Sequence, residues 1–83
     1  MSPVAQAARL EAATETLAEY IGYLNNEIGV EEDRGEPNLG RIQALGHELE
    51  ILVDERRAIT PDNDDLINRA LYVYAPLLKP MHE

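Results

Sequence analysis

"AARLEAATETLAEYIGYLNNEI", residues 7–28, decides the fold. Ala7, Thr14, Ile21 and Ile28 recur at heptad spacing, and Leu10, Leu17 and Leu24 follow the first three of them at the next inward-facing position. A helix with this pattern carries one apolar seam along its length and buries it against another helix. Just upstream, Ser2 can cap a helix with its hydroxyl, and Pro3 suits the first helical position because it lacks the amide that would go unpaired there. Downstream, Gly29 offers a left-handed stop, and "VEEDRGEPN" (30–38) breaks the periodicity with charge, Gly35 and Pro37. The spacing therefore predicts a first helix over about 3–28, roughly 39 Å long, and an acidic loop over 29–37.

A second seam follows. Ile42, Leu45, Leu49, Leu52 and Ile59 stand at alternating helical steps, with Arg56 able to lay its stem on the seam and its head in water. Gly40 and Gly46 either weaken this helix or mark a close approach of its neighbour. The second helix is predicted over 38–59, and the short connection makes it antiparallel to the first.

Thr60 and Pro61 end it, since a residue before proline is pushed out of the α region. "TPDNDDL" (60–66) then reads as the start of a third helix, capped by Thr60 or Asp62, with carboxylates at the positive end of its dipole. That helix is predicted over 61–78, bent or ended near Ala75 by Pro76. Ile67, Ala70, Leu71, Tyr74, Leu77 and Leu78 form its core stripe, while Leu66, Tyr72 and Val73 add apolar surface elsewhere.

The fold class expected is all-α: one domain over 1–83, a long antiparallel helical hairpin plus a shorter third helix. A hairpin leaves part of each seam open and the third helix is too short to cover it, so the bundle is expected to be completed by homodimerisation. Leu10, Leu17, Ile21, Leu24, Ile42, Leu45, Leu49 and Leu52 would form the dimer or bundle seam.

Composition narrows the function. With no cysteine among 83 residues, disulfides and thiolate metal sites are excluded. No apolar run approaches the ~20 residues of a membrane span, and the early glutamates Glu11, Glu15 and Glu19 do not suit a signal peptide. A cytoplasmic protein is expected. A formal charge of −9 disfavours direct binding to nucleic acid or an anionic membrane and favours a basic protein partner.

Reactive constellations are incomplete. The Asp62–Asp65 cluster lacks the glycine and closing glutamate of an EF-hand, with Ile67 and Val73 in their places. His47 and Glu48 begin a helical zinc pattern whose second histidine is replaced by Ile51, and Ala44 stands where a di-iron pattern needs glutamate. His82 lies beside the terminus. Glu48, Glu50, Asp54 and Glu55 read as a solvated face, with weak intrahelical pairs from Glu50 through Asp54 to Arg57 and from Asp65 to Arg69. With one serine and no phosphate-cradling loop, nothing assembles a nucleophile with its base. No enzyme and no cofactor are expected.

The sequence thus points to a small acidic interaction module, an inhibitor or regulator of a basic, nucleic-acid-handling partner protein. Antitoxins, immunity proteins and phage anti-defence proteins, anti-CRISPR proteins among them, are of this physical type, although no motif identifies any of them. Electrostatic contact is expected through Glu11, Glu15, Glu19, Glu31, Glu32 and Asp33. The alternative is a hairpin adaptor or chaperone-like assembly subunit that captures its partner through Leu66, Tyr72 and Val73 on the third helix.

Overall fold

The computed structural model describes residues 2–78, all of its regular structure being helical. Helix α1 runs Pro3–Glu32 and α2 runs Leu39–Ala58. A third helical arm consists of α3 (Asp64–Arg69), a π-helical segment (Ala70–Tyr74) and α4 (Ala75–Leu78).

Local chemistry accounts for most of these limits. The Ser2 hydroxyl accepts the Ala5 amide at 3.1 Å, with Pro3 in the first turn, as the sequence predicts. The predicted stop at Gly29 is not used: α1 continues to Glu32, and no described glycine has a positive φ. The reason lies in Glu31, whose carboxylate reaches across the loop and anchors the start of α2, so the last turn of α1 is held in place. Asn38 caps α2 through its side-chain oxygen, 3.1 Å from the Arg41 amide. Beyond Ala58 the chain becomes extended at Ile59, ahead of the Thr60-Pro61 pair.

The third helix begins later than predicted, at Asp64, and its cap is Asn63 rather than Thr60 or Asp62. The Asn63 side chain accepts the Leu66 amide at 3.2 Å. Thr60 and Asp62 instead bond each other, Oγ1 donating to Oδ1 at 2.8 Å. Pro76 neither ends nor breaks the arm. Proline has no amide to offer the carbonyl one turn back, and here the helix widens ahead of it: the Ala75 amide donates to the Ala70 carbonyl, an i to i−5 bond. One π turn thereby carries the arm past Pro76 to Leu78.

The core is Ala13, Leu17, Tyr20, Leu24, Leu45, Leu52, Ile67, Ala70 and Leu78. On α1 the buried line is displaced from the heptad seam. Leu17 and Leu24 stay inside, but their companions are Ala13 and Tyr20, while Ala7 is exposed and Leu10, Thr14, Ile21 and Ile28 are only half-buried. The arm causes the displacement. It packs chiefly on α1, along the flank that carries Arg9, Ala13 and Tyr20, and leaves the other flank uncovered. Of the eight seam residues, Leu17, Leu24, Leu45 and Leu52 are therefore interior to the chain, whereas Leu10, Ile21, Ile42 and Leu49 lie at its edge.

A β-carbon on Gly46 would meet nothing within 4 Å, so this glycine marks no close helix approach. The molecule is long and flat, 52 × 28 × 14 Å, with a radius of gyration of 14.6 Å. A compact chain of this length would have a radius of about 12 Å. No described helix is long and apolar enough to cross a membrane.

Candidate functional site

Two classes of carboxylate separate in the structure. The first points inward and is occupied. Glu55, 9% exposed, accepts from the Arg69 guanidinium and from the Tyr74 hydroxyl, the latter at 3.0 Å. Half-buried Glu48 accepts from the Tyr20 hydroxyl at 3.1 Å. Tyr20 in turn stacks edge-on against Tyr23 and lies 5.2 Å, centroid to centroid, from Tyr74. Burial, reinforced by the neighbouring Glu48 carboxylate, pushes the Tyr20 hydroxyl up to about 12. The same causes, with Glu55 as the neighbour, raise Tyr74. Glu48 and Glu55 thus do not belong to a solvated face, and Arg69 pairs with Glu55 on α2 rather than with Asp65 on its own helix.

Glu31 is the third inward group. Its Oε1 accepts the Asn38 amide at 2.9 Å, Arg34 lies 3.3 Å away, and the Arg41 Nε is 3.6 Å off. The amide bond and the two arginines hold its carboxyl below the usual range. Only 4% exposed, Glu31 is an internal tie between α1 and α2, which corrects its sequence assignment to the acidic contact surface. Arg41 also reaches Glu27 at 3.2 Å.

The second class points outward. Glu11, Glu15, Glu19, Glu32 and Asp33 are all exposed. Glu11 and Glu15 border a groove of about 420 Å³ whose walls include Pro3, Ala7, Leu10, Thr14 and Pro61. Gln6 spans its end, donating from Nε2 to the Pro61 carbonyl at 3.4 Å. A second depression, about 390 Å³, lies over Leu49 and Val53 on α2 and is bordered by Glu50, Asp54 and Arg57.

The predicted apolar contact residues are split. Tyr72 and Val73 are 70% and 51% exposed on the π segment, with Leu77 at 49% nearby, whereas Leu66 is half-buried. Asp62, Asp64 and Asp65 line a shallow hollow with Thr60 and Asn63. Among the described residues no group of three or more histidine, cysteine, aspartate or glutamate side chains is placed to hold a metal ion. His47 is exposed on α2 and His82 lies outside the described residues.

Glu50 and Asp54 are exposed as expected. Sequence reasoning did not single out Val53, and it missed the inward role of Glu48 and Glu55. A signal for the latter was present: Tyr20 and Glu27 on α1, and Arg41, Glu48 and Glu55 on α2, all recur at heptad spacing on the same flank of their seams. In an antiparallel pair those flanks meet. No protein-family model, curated protein or solved structure matches the chain.

Proposed function

We propose that the protein is a small acidic protein-interaction module, an inhibitor or regulator that binds a basic, nucleic-acid-handling partner and covers its working surface. One observation carries this reading. Arg34, Arg41 and Arg69 are drawn onto the inward carboxylates Glu27, Glu31 and Glu55. With these three pairs set aside, thirteen acidic and four basic side chains remain, and the net −9 rests on them. Such a surface attracts a cationic partner over long range and repels nucleic acid. Binding, not catalysis, is the activity proposed.

Salt and charge reversal test it. A complex isolated with the partner from source cells is expected to weaken steeply as ionic strength rises. Glu15→Lys is expected to weaken it further, leaving helicity intact. Affinity indifferent to both would refute the electrostatic reading.

A second reading is favoured by the exposure of Tyr72, Val73 and Leu77, which form an apolar patch on the arm. A hairpin adaptor would use this patch, and Tyr72→Ala with Val73→Asp would then abolish capture while Glu15→Lys would not.

A further inference from the structure

The groove over Leu10 is built by one face of α1 and a single residue from beyond α2. Pro3, Ala7, Leu10 and Pro61 supply its apolar lining, and Glu11 and Glu15 supply its charge. It follows α1 from Pro3 to Glu15, about 18 Å at 1.5 Å per residue. Gln6 closes one side by donating to the Pro61 carbonyl at 3.4 Å. Helical spacing turns Glu11 and Glu15 to the side away from Gln6. Both are exposed, and neither carboxylate takes a hydrogen bond or an ion pair among the described residues. No described lysine or arginine lines the groove, in contrast to the depression over Leu49, which has Arg57.

That lining has a definite complement. Like charges one helical turn apart repel, and a cation set between them relieves the repulsion. The floor is apolar, so the occupant must be apolar along its length and charged at its tip. Arginine is such a group: its methylene stem packs on aliphatic surface while its head stays with charge. The planar guanidinium is weakly hydrated and can donate to two carboxylates at once, where a lysine ammonium acts as a point charge. Arginines seated in this way are frequent anchors of protein interfaces. A second copy of this chain is the poorer source. Its exposed Arg56 and Arg57 lie at the end of α2, so seating them on α1 of another copy is a head-to-tail contact that adds molecules of −9 in an open chain. A basic partner protein is attracted by the same charge.

We propose that this groove is the anchor site for an arginine side chain projecting from a basic partner protein, its stem lying on Ala7, Leu10 and Pro61 and its guanidinium between Glu11 and Glu15. This rests on the acidic-module reading above and names the place and the residue type by which the partner is held.

The probe is n-propylguanidinium, the arginine side chain alone, titrated into the full nitrogen-15-labelled chain at constant ionic strength while amide shifts are followed. Guanidinium ion lacks the stem, and n-propanol lacks the charge. Propylguanidinium is expected to shift Ala7, Leu10, Glu11 and Glu15 and to bind about fivefold or more tighter than guanidinium, because part of its stem leaves water. The same side chain in a capped Ala-Arg-Ala tripeptide is expected to bind at least as well. Ala7→Phe fills the groove without changing charge, and Glu11→Gln with Glu15→Gln removes the charge without filling it. Each is expected to weaken the probe by about fivefold or more with circular dichroism unchanged. Equal binding of guanidinium or of propanol, shifts centred on Asp62, Asp64 and Asp65, or unchanged binding in Ala7→Phe would overturn the anchor site. None of these touches the salt dependence of the partner complex, which judges the acidic-module reading by itself. A tripeptide that binds far more weakly than propylguanidinium would give the groove to a free small cation and overturn the proposal. So would self-association of the wild type in sedimentation that Arg56→Gln with Arg57→Gln abolishes, since a second copy would then fill the groove.

Discussion

Leu10 and Leu17 are equivalent in the heptad pattern, and the structure makes them unequal. Leu17 is 1% exposed and lies in the core, while Leu10 is half-buried at the wall of the open groove. Truncating Leu17 to alanine removes transfer free energy and leaves a cavity that close-packed neighbours cannot collapse into, a combined cost of about 3–4 kcal/mol. Truncating Leu10 enlarges a groove already open to water, so only part of a transfer contribution is lost, about 1 kcal/mol or less. A chain of this size has a total stability of about 4–12 kcal/mol, so Leu17→Ala consumes a large share of it. At about 4–8 °C per kcal/mol, its melting temperature is expected to fall by roughly 12–32 °C, against about 8 °C or less for Leu10→Ala. Urea unfolding followed by circular dichroism, at two protein concentrations, measures both. Equal destabilisation by the two substitutions would refute the displaced core. A concentration-dependent midpoint with equal effects would show the whole seam buried between copies.

Further outcomes are expected. The depressed Glu31 carboxyl favours its charged form in the folded state, so its contribution is complete above the unfolded pKa of about 4.3 and disappears as pH falls through the lower folded value; Glu31→Gln should make acid unfolding below pH ~4.3 shallower, and an unchanged acid limb would remove its role as a tie. Tyr20, held near 12, favours its neutral form, so stability is retained below the unfolded pKa of about 10 and lost as pH rises towards the folded value; tyrosinate absorbance should show a late-ionising group that Tyr20→Phe removes. Asn63→Ala should cost roughly 1 kcal/mol through loss of the cap, and Thr60→Ala with Asp62→Ala clearly less, an order that would be reversed if the cap lay at Asp62. Millimolar calcium or magnesium should leave the melting temperature unchanged; a rise abolished by Asp64→Asn would reveal a metal site at 62–65.

The helices were legible because their signals are local. Ser2-Pro3, the leucine spacing of α1 and Thr60-Pro61 each act within one or two turns, and each sets a feature seen in the structure. Gly29 misled because its own preference is small beside the tie made by Glu31, a residue whose partners Asn38 and Arg41 lie beyond the loop. The cap at Asn63 was obscured by two neighbouring candidates of similar chemistry, Thr60 and Asp62, and only their mutual hydrogen bond shows that they were already engaged. Least legible was which flank of the hairpin the arm would cover, because heptad positions on either side of a leucine are equally close to it in sequence.

That choice has a physical cause in the polar residues rather than the apolar ones. Both flanks of the hairpin offer aliphatic surface, but one of them also carries Glu48 and Glu55, set a heptad apart on α2. A carboxylate covered by a helix without a matching donor pays a desolvation penalty that a covering leucine does not repay. The arm brings donors spaced to meet that demand: Arg69 and Tyr74 converge on Glu55, while the Tyr74 ring lies against Tyr20, whose hydroxyl serves Glu48. On the other flank Arg69 and Tyr74 would find Leu49 and Val53, and Glu55 would lose both of its donors. The polar network therefore directs the arm to its own side, and the aliphatic flank stays open as a consequence. The residues that make this fold specific are thus the buried carboxylates and their donors, which decide the side of the hairpin that the arm covers.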